Sequence, residues 1–329
     1  MRTILELVVA ARPLLSSAMG RLTSAFVVGV LLAACGASRQ SAEPAALGRP
    51  LQVVTTFVPV TWFTQAVAGP CATVTALVPP GTDPHEFQAR SADLLALRQA
   101  RLLVKNGLGI EGFLDKLVAS ADNPGLRVID SSRGVSTLDS HDRAHDHTDD
   151  HGHDHAAVNP HIWLDPLRAV QQVEAIRDGL VKADPSCAEG YRRNAAAFID
   201  QLQQLNSEIA AQLRPYRGKT FVAFHDVAPY FAQRYGLRAA FLVDVPELNP
   251  SPADLQRVAA AVRQSQLQAL LSGPQEGNRS FNALAQDLGI RISVFDPIET
   301  AAPQAAADPG TYLTVMRRNG VALAQVFAR

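Results

Sequence analysis

The chain has 329 residues, 47% of them apolar and 19% charged, and a formal net charge of −1. That length holds two domains of ordinary size, and that apolar content supplies real cores. Scattered basic residues and a 6% aromatic content argue against a nucleic-acid groove and against a surface for stacking sugars or bases.

Arg21 precedes a short apolar run, Ala25–Ala34, that ends at Cys35-Gly36. The run is too short to span a bilayer but suits the apolar core of a signal peptide. Ala33 and Ala34 before Cys35 resemble the bacterial lipobox. The expectation is a lipoprotein-type signal over residues 1–34, with Cys35 lipidated and acyl chains holding the protein at a membrane. An ordinary cleaved signal with an incidental cysteine is the alternative. Met19 competes with Met1 as the start, because Met1–Ala18 is longer than a signal needs. Residues 35–49 are rich in Ala, Ser, Gln, Pro and Gly and read as a flexible tether. Cys71 and Cys187 remain as an even pair in an exported chain, which points to a disulfide, two separate thiols being the alternative.

From residue 50 the pattern alternates. Strands are expected at 51–56, 74–78, 102–105 and near Val128, with an amphipathic stretch at 60–67 and helices at 91–98 and 113–119. Residues 139–156 break this order with histidine and aspartate and no apolar periodicity, the signature of a solvated loop. Ala195, Phe198, Leu202, Leu205, Ile209 and Leu213 then repeat at spacings of three and four, which predicts a long helix over 191–214 ended by Pro215. At 1.5 Å per residue it runs about 35 Å, enough to span two domains. Strands at 220–224, 239–243, 269–271 and 292–295 alternate after it with helices at 229–235, 252–264, 278–288 and 312–327. The predicted fold class is therefore α/β: two doubly wound lobes, 50–190 and 215–329, joined by one long rigid helix, with a site in the cleft between them.

The histidines show where that site lies. Six crowd into one segment: His141, His145, His147, His151, His153 and His155. The other three stand apart, His85 in Pro-Gly-Thr-Asp-Pro-His, His161 in Asn-Pro-His-Ile-Trp-Leu-Asp-Pro, and His225 in Phe-Val-Ala-Phe-His-Asp. Asp296, in Val-Phe-Asp-Pro, follows the same rule of a polar ligand-type residue where an apolar run stops. In open α/β sheets ligands sit beyond the carboxyl ends of strands, and His85, His225 and Asp296 each follow a strand-like run. Three imidazoles and one carboxylate suggest a closed divalent-metal site, and that donor set leans toward Zn²⁺ over Mn²⁺. Glu86 and Asp226 neighbour proposed ligands and are candidates to orient them, or else are surface charges. Trp163, Phe224 and Tyr230 read as core. The six-histidine segment reads as a weak metal-capture loop at the cleft mouth, a plain solvated spacer being the alternative.

These residues resemble the metal-binding solute receptors of bacterial ABC transporters, the zinc and manganese group with a rigid helical backbone. The resemblance covers about residues 50–329 and rests on motifs in order: Leu77–Phe87, Asn106–Leu117, Asn159–Pro166, Phe224–Leu237 and Phe295–Ile298. It implies that His85, His161, His225 and Asp296 hold the metal. Histidine at the third position and a histidine-rich loop before the second ligand match the zinc-type members; manganese-type members commonly have glutamate at the third. One departure is Gln88-Ala89-Arg90, where members often carry prolines. The resemblance implies a monomeric, non-enzymatic receptor, exported and lipid-anchored on the periplasmic or extracellular side, that passes zinc to a membrane permease driven by a cytoplasmic ATPase. A zinc hydrolase is the rival from another class; Glu86 could serve it as acid or base, but the chain has no His-Glu-x-x-His helix. An adhesin or structural lipoprotein, its metal only stabilising the fold, is a third reading.

Overall fold

Leu51–Thr55 (β1) is β-branched and buried on both faces, as the inner strand of a covered parallel sheet must be. It pairs in parallel with Ala72–Ala76 (β2) on one side and Leu102–Lys105 (β3) on the other, and Arg127–Asp130 (β4) completes the order β2-β1-β3-β4. A second sheet repeats that order: Thr220–His225 (β5), Arg238–Val243 (β6), Ala269–Ser272 (β7) and Arg291–Val294 (β8) line up as β6-β5-β7-β8, again all parallel. In each sheet the chain reverses its direction of winding beside the first strand, so the switch-point crevice opens beyond β1 and β3, and beyond β5 and β7. The computed structural model of the chain describes residues 50–138, 158–244, 249–274 and 279–328. The expected signal, Cys35, the tether and the six histidines of His141–His155 lie outside the described residues.

Helices cover both faces. Ser91–Gln99 (α2) and Leu114–Ala121 (α3) close a small outer core with β1 and β3, while Pro252–Ser265 (α7) and Arg279–Asp287 (α8) do the same for the second sheet. Between the sheets lie Val58–Ala68 (α1), Pro166–Ala183 (α4), Ala188–Leu213 (α5) and Gly310–Phe327 (α10). One hydrophobic core runs through all of them, from Leu51 to Val326, and holds Trp62, Phe63, Trp163, Tyr191 and Tyr312. Helix α5 presents Tyr191, Ala195, Phe198, Leu202, Leu205, Ile209 and Leu213, the predicted stripe with one turn added, to α1, α4 and α10. It begins at Ala188, three residues before the predicted start, because a short 3₁₀ turn at Pro185–Cys187 feeds straight into it. Helix α4 has no bounds expected from the sequence, because buried Arg168 and Gln172 interrupt its apolar period. Residues Leu47–Arg329 form one compact unit. A shared core of this size opposes free hinging of the two sheets, since opening would expose buried aromatic surface to water.

The sulfurs of Cys71 and Cys187 are bonded across a sequence separation of 116. Cys71 immediately precedes β2, so the bridge lies at the amino ends of the first sheet, away from the ligand loops. Reducing it, or replacing both cysteines with serine, should lower the unfolding free energy by about 2–4 kcal/mol, as expected for closure of a long loop. Urea denaturation with and without reductant measures this, and metal affinity should be unchanged.

Candidate metal site

The four ligand-bearing residues lie at the end of β5 or in the connections that follow β2, β4 and β8. His85 lies in the loop between β2 and α2, where its backbone N–H donates to Asp83 Oδ1 at 2.8 Å. His161 lies between β4 and α4, and its backbone N–H donates to Asn159 Oδ1, an Asx turn closed by Pro160. His225 is the last residue of β5 and is fully buried. The fourth segment follows β8. There Asn319 on α10 accepts from Asp296 N and donates to Asp296 O, both at 2.8 Å, while Trp163 Nε1 donates to Pro297 O. Ile298 sits at φ 61°, a left-handed conformation unusual for a β-branched residue, and its N–H donates to Asp296 Oδ1. That turn sends the next side chain, Glu299, into the space where the histidines meet.

Three histidine side chains converge on one oxygen of Glu299. Glu299 Oε1 lies 3.1 Å from His85 Nε2, 3.0 Å from His161 Nε2 and 3.5 Å from His225 Nε2. One ligand atom from each of the four lies within 4.8 Å of every other. A tetrahedral zinc with bonds near 2.05 Å has ligand-to-ligand edges of about 3.3 Å, and the three distances from Glu299 bracket that value. The expected carboxylate was Asp296. The structure instead brings Glu299 to the histidines, because the Asp296 carboxylate closes its own turn on Ile298 N. Asp296 is the first polar residue after the apolar run, and a linear reading selects it; only the sharp turn reveals Glu299, three residues on.

The charge balance of this cluster favours a cation. Asn159 Nδ2 donates to the backbone carbonyl of Asp226 at 2.7 Å and to its carboxylate at 3.1 Å. A carbonyl only accepts, so the Asn159 amide cannot be turned round, and its Oδ1 faces His161 Nδ1 at 3.0 Å. The proton on Nδ1 therefore belongs to that bond, and Nε2 presents a lone pair to Glu299. Burial pushes the His161 imidazole down to about 4, against the pull of Glu299, so it is neutral at pH 7. Burial resists ionisation of Glu299, but its imidazole neighbours, the His225 charge foremost, outweigh it and hold the carboxyl well below its ordinary range. A neutral nitrogen lone pair facing an ionised oxygen at 3.0 Å is repulsive unless a cation lies between them. The donor set thus fits a divalent ion.

The groups proposed to orient the ligands separate. Asp226 accepts from Asn159, and through it acts on His161. Glu86 is exposed, and the acceptor for the His85 backbone is Asp83, since a side chain following the turn points outward. Trp163, Phe224 and Tyr230 are core. Trp163 also stacks edge-on against His161 at 5.1 Å. Behind the site, buried Glu111 accepts from Thr56 Oγ1, Asn106 N and Gly107 N, and the Asn106 amide donates to Pro160 O beside His161. Gly107 is at φ 86°, and a Cβ there would strike the Asp130 carboxylate, so glycine is required.

Comparison with known proteins follows this geometry. The family model described as "ZnuA: Zinc-uptake complex component A periplasmic" matches residues 53–326. The chain belongs to this family. Among curated ZnuA-like relatives, it is 31% identical over 307 residues to "Zinc-binding lipoprotein AdcA" of Streptococcus pneumoniae, covering 92% of this chain but 59% of that protein. It is 28% identical to "High-affinity zinc uptake system protein ZnuA" of Bacillus subtilis, covering 88% of this chain and 92% of the relative. The solved Zn(II)-bound ZnuA-like domain of the pneumococcal AdcA superposes with a TM-score of 0.71 at 29% identity, covering 85% of this chain and all of that domain. The chain thus spans well under two thirds of the pneumococcal protein and matches its ZnuA-like domain. The two-lobed architecture with its long helix is the ZnuA fold.

Acidification has a defined direction here. Burial lowers the affinity of His85 for protons, but Glu299 and then Asp83 outweigh it and raise the group above 6.5 overall. A proton on His85 therefore competes with metal before one on His161 does. Metal affinity should begin to fall above pH 6.5 and keep falling toward pH 5, with about one proton displaced per ion over the first part. Metal titrations at several pH values in two buffers of different ionisation enthalpy check this. A flat profile from pH 7.5 to 5.5 would remove His85 from the site.

Proposed function

We propose that this protein is an extracytoplasmic zinc receptor: it takes up Zn²⁺ through His85, His161, His225 and Glu299 and hands it to a membrane permease powered by a cytoplasmic ATPase. The single observation that carries the reading is the convergence of three imidazole nitrogens on one carboxylate oxygen. Membership of the ZnuA family supports zinc as the cargo, and so do the names of its zinc-binding relatives. The donors favour zinc over manganese on chemical grounds as well, since three imidazoles suit a four-coordinate ion and manganese prefers more oxygen.

The proposed mode of action is capture, not catalysis. Four protein donors complete a tetrahedral shell and leave no position for an activated water. Attachment to the membrane would rest on Cys35 and the preceding apolar run, since among the described residues no helix is long and apolar enough to cross a membrane. The shared core supports small lobe movement, so zinc release would come from contact with the permease or from loop movement. Elemental analysis of protein purified without added metal, combined with competitive titration of Zn²⁺ against Mn²⁺, tests the reading. Zinc at one equivalent, bound more tightly than manganese, is the expected result. Tight manganese binding with weak zinc binding would overturn it.

A further inference from the structure

Asn159 is 2% exposed, and its side chain touches both halves of the site. Its Oδ1 takes the backbone N–H and Nδ1 of His161, on the β4–α4 connection. Its Nδ2 donates to the carbonyl and carboxylate of Asp226, the residue after His225 at the end of β5. Its backbone carbonyl accepts the Tyr230 hydroxyl on α6 (Pro229–Tyr235) at 2.6 Å. The His161 and His225 rings, 5.4 Å apart between centroids, are therefore spanned by one short amide fastened at both ends.

We propose that Asn159 is a positioning residue for zinc capture: its fixed amide locks His161 as the Nδ1-protonated tautomer, with Nε2 free to coordinate, and ties that ring to the His225 strand. This rests on the zinc-receptor reading but makes its own demand on the metal-free protein. The alternative tautomer would set the Nδ1 lone pair against Asn159 Oδ1, which cannot rotate away without losing both bonds to Asp226. An amide held this way supplies direction without charge. It removes one rearrangement that an incoming ion would otherwise have to drive, which is how outer groups of a metal site raise affinity.

The test uses the full mature chain labelled with ¹⁵N-histidine. Long-range ¹H–¹⁵N correlation spectra at pH 7.5 report which nitrogen of each imidazole carries the proton, with and without one equivalent of zinc. In the metal-free wild type His161 should be protonated at Nδ1; in Asn159→Ala that preference should be lost, and zinc affinity by competition with a chromophoric chelator should fall about 10–100-fold. If Asn159→Ala does not fold, Asn159→Ser, too short to reach from His161 to Asp226, takes its place. Tyr230→Phe is the control, since it removes a bond to the Asn159 backbone without touching the amide. It should lower thermal stability while leaving the tautomer in place and zinc affinity within about threefold, the loss of two neutral hydrogen bonds, to Asn159 O and from Leu138 N, acting on the fold and not on the ring. A wild-type His161 protonated at Nε2, an unchanged tautomer and affinity in the Asn159 variant, or an equal affinity loss in Tyr230→Phe would each overturn the proposal. Failure of the wild type to bind zinc would instead count against the receptor reading, and the metal-free spectra would still decide the role of Asn159.

Discussion

Glu299→Gln should weaken zinc binding by more than about 100-fold, beyond the 10–100-fold that loss of an outer orienting group causes. On the free-energy scale that is at least about 2.8 kcal/mol, since each tenfold corresponds to about 1.4 kcal/mol. Two effects act together. The amide oxygen that replaces the carboxylate carries no charge to neutralise the ion, and the three imidazoles lose the group on which they converge. The metal-free protein supplies an independent readout. His85 is held above 6.5 chiefly against burial by Glu299, so in Glu299→Gln its imidazole should titrate lower than in the wild type. Asp296→Asn is the comparison that matters, because it keeps an oxygen to accept from Ile298 N and leaves Glu299 in place. It should cost less than about tenfold, the size of one neutral hydrogen bond disturbed. A competition titration of both variants orders them. If Asp296→Asn proved the more damaging, the carboxylate would belong to Asp296 after all.

Asp165→Ala should be the most destabilising substitution outside the hydrophobic core. Asp165 is completely buried, four residues past His161. It accepts from Arg168 and, through both oxygens, from Arg234 on α6 at 2.7 and 2.8 Å, and its Oδ1 also caps α4 at Leu167 N. Arg168 in turn donates to Ser136 O and Gln233 Oε1 and lies over the Tyr230 ring at 4.6 Å. Asp165 thus stitches the segment that carries His161 to a helix of the second lobe. Removing one partner of a buried ionic group leaves the other charges uncompensated, at a cost of about 3–5 kcal/mol. For a chain of this size, thermal unfolding of the metal-free protein should shift down by about 10 °C. Replacing the whole group with well-packed apolar residues could be close to neutral, because desolvation offsets most of the attraction. A shift of under about 2 °C for Asp165→Ala would mean that water enters the site and the ions are not truly buried.

Much of this architecture was legible in the chain. The strands and helices of both lobes follow from β-branched runs and apolar stripes, and Leu102–Lys105 and Pro229–Tyr235 were placed to the residue. The α5 stripe is visible because seven buried positions share one helical face. Helix α4 escaped delimitation, its buried Arg168 and Gln172 being polar residues that interrupt the apolar period. Arg168 pairs with Asp165, and Gln172 Nε2 donates to Asn106 Oδ1 and Ser131 Oγ, partners that lie on other turns or other elements. No periodicity can announce such pairings. Asn159 carries a weak signal, an Asn-Pro-His turn, but that signal says only where the backbone bends.

What the sequence determined by itself is the class of fold and three of the four side chains that meet: isolated histidines, two after strand-like runs and His161 at a helix entry, each in a stiff local setting of proline or buried aromatic residues. These depend on short-range pattern, and short-range pattern is written in the chain. The tertiary structure alone decided which carboxylate joins them and which amide aims them. A left-handed turn at Ile298, pinned by Asn319 and Trp163 from distant helices and loops, directs Glu299 inward and keeps Asp296 at the turn. The direction of a side chain after such a turn is set by contacts far apart in the chain, Trp163 and Pro297 being separated by 134 residues, and local sequence carries no record of them.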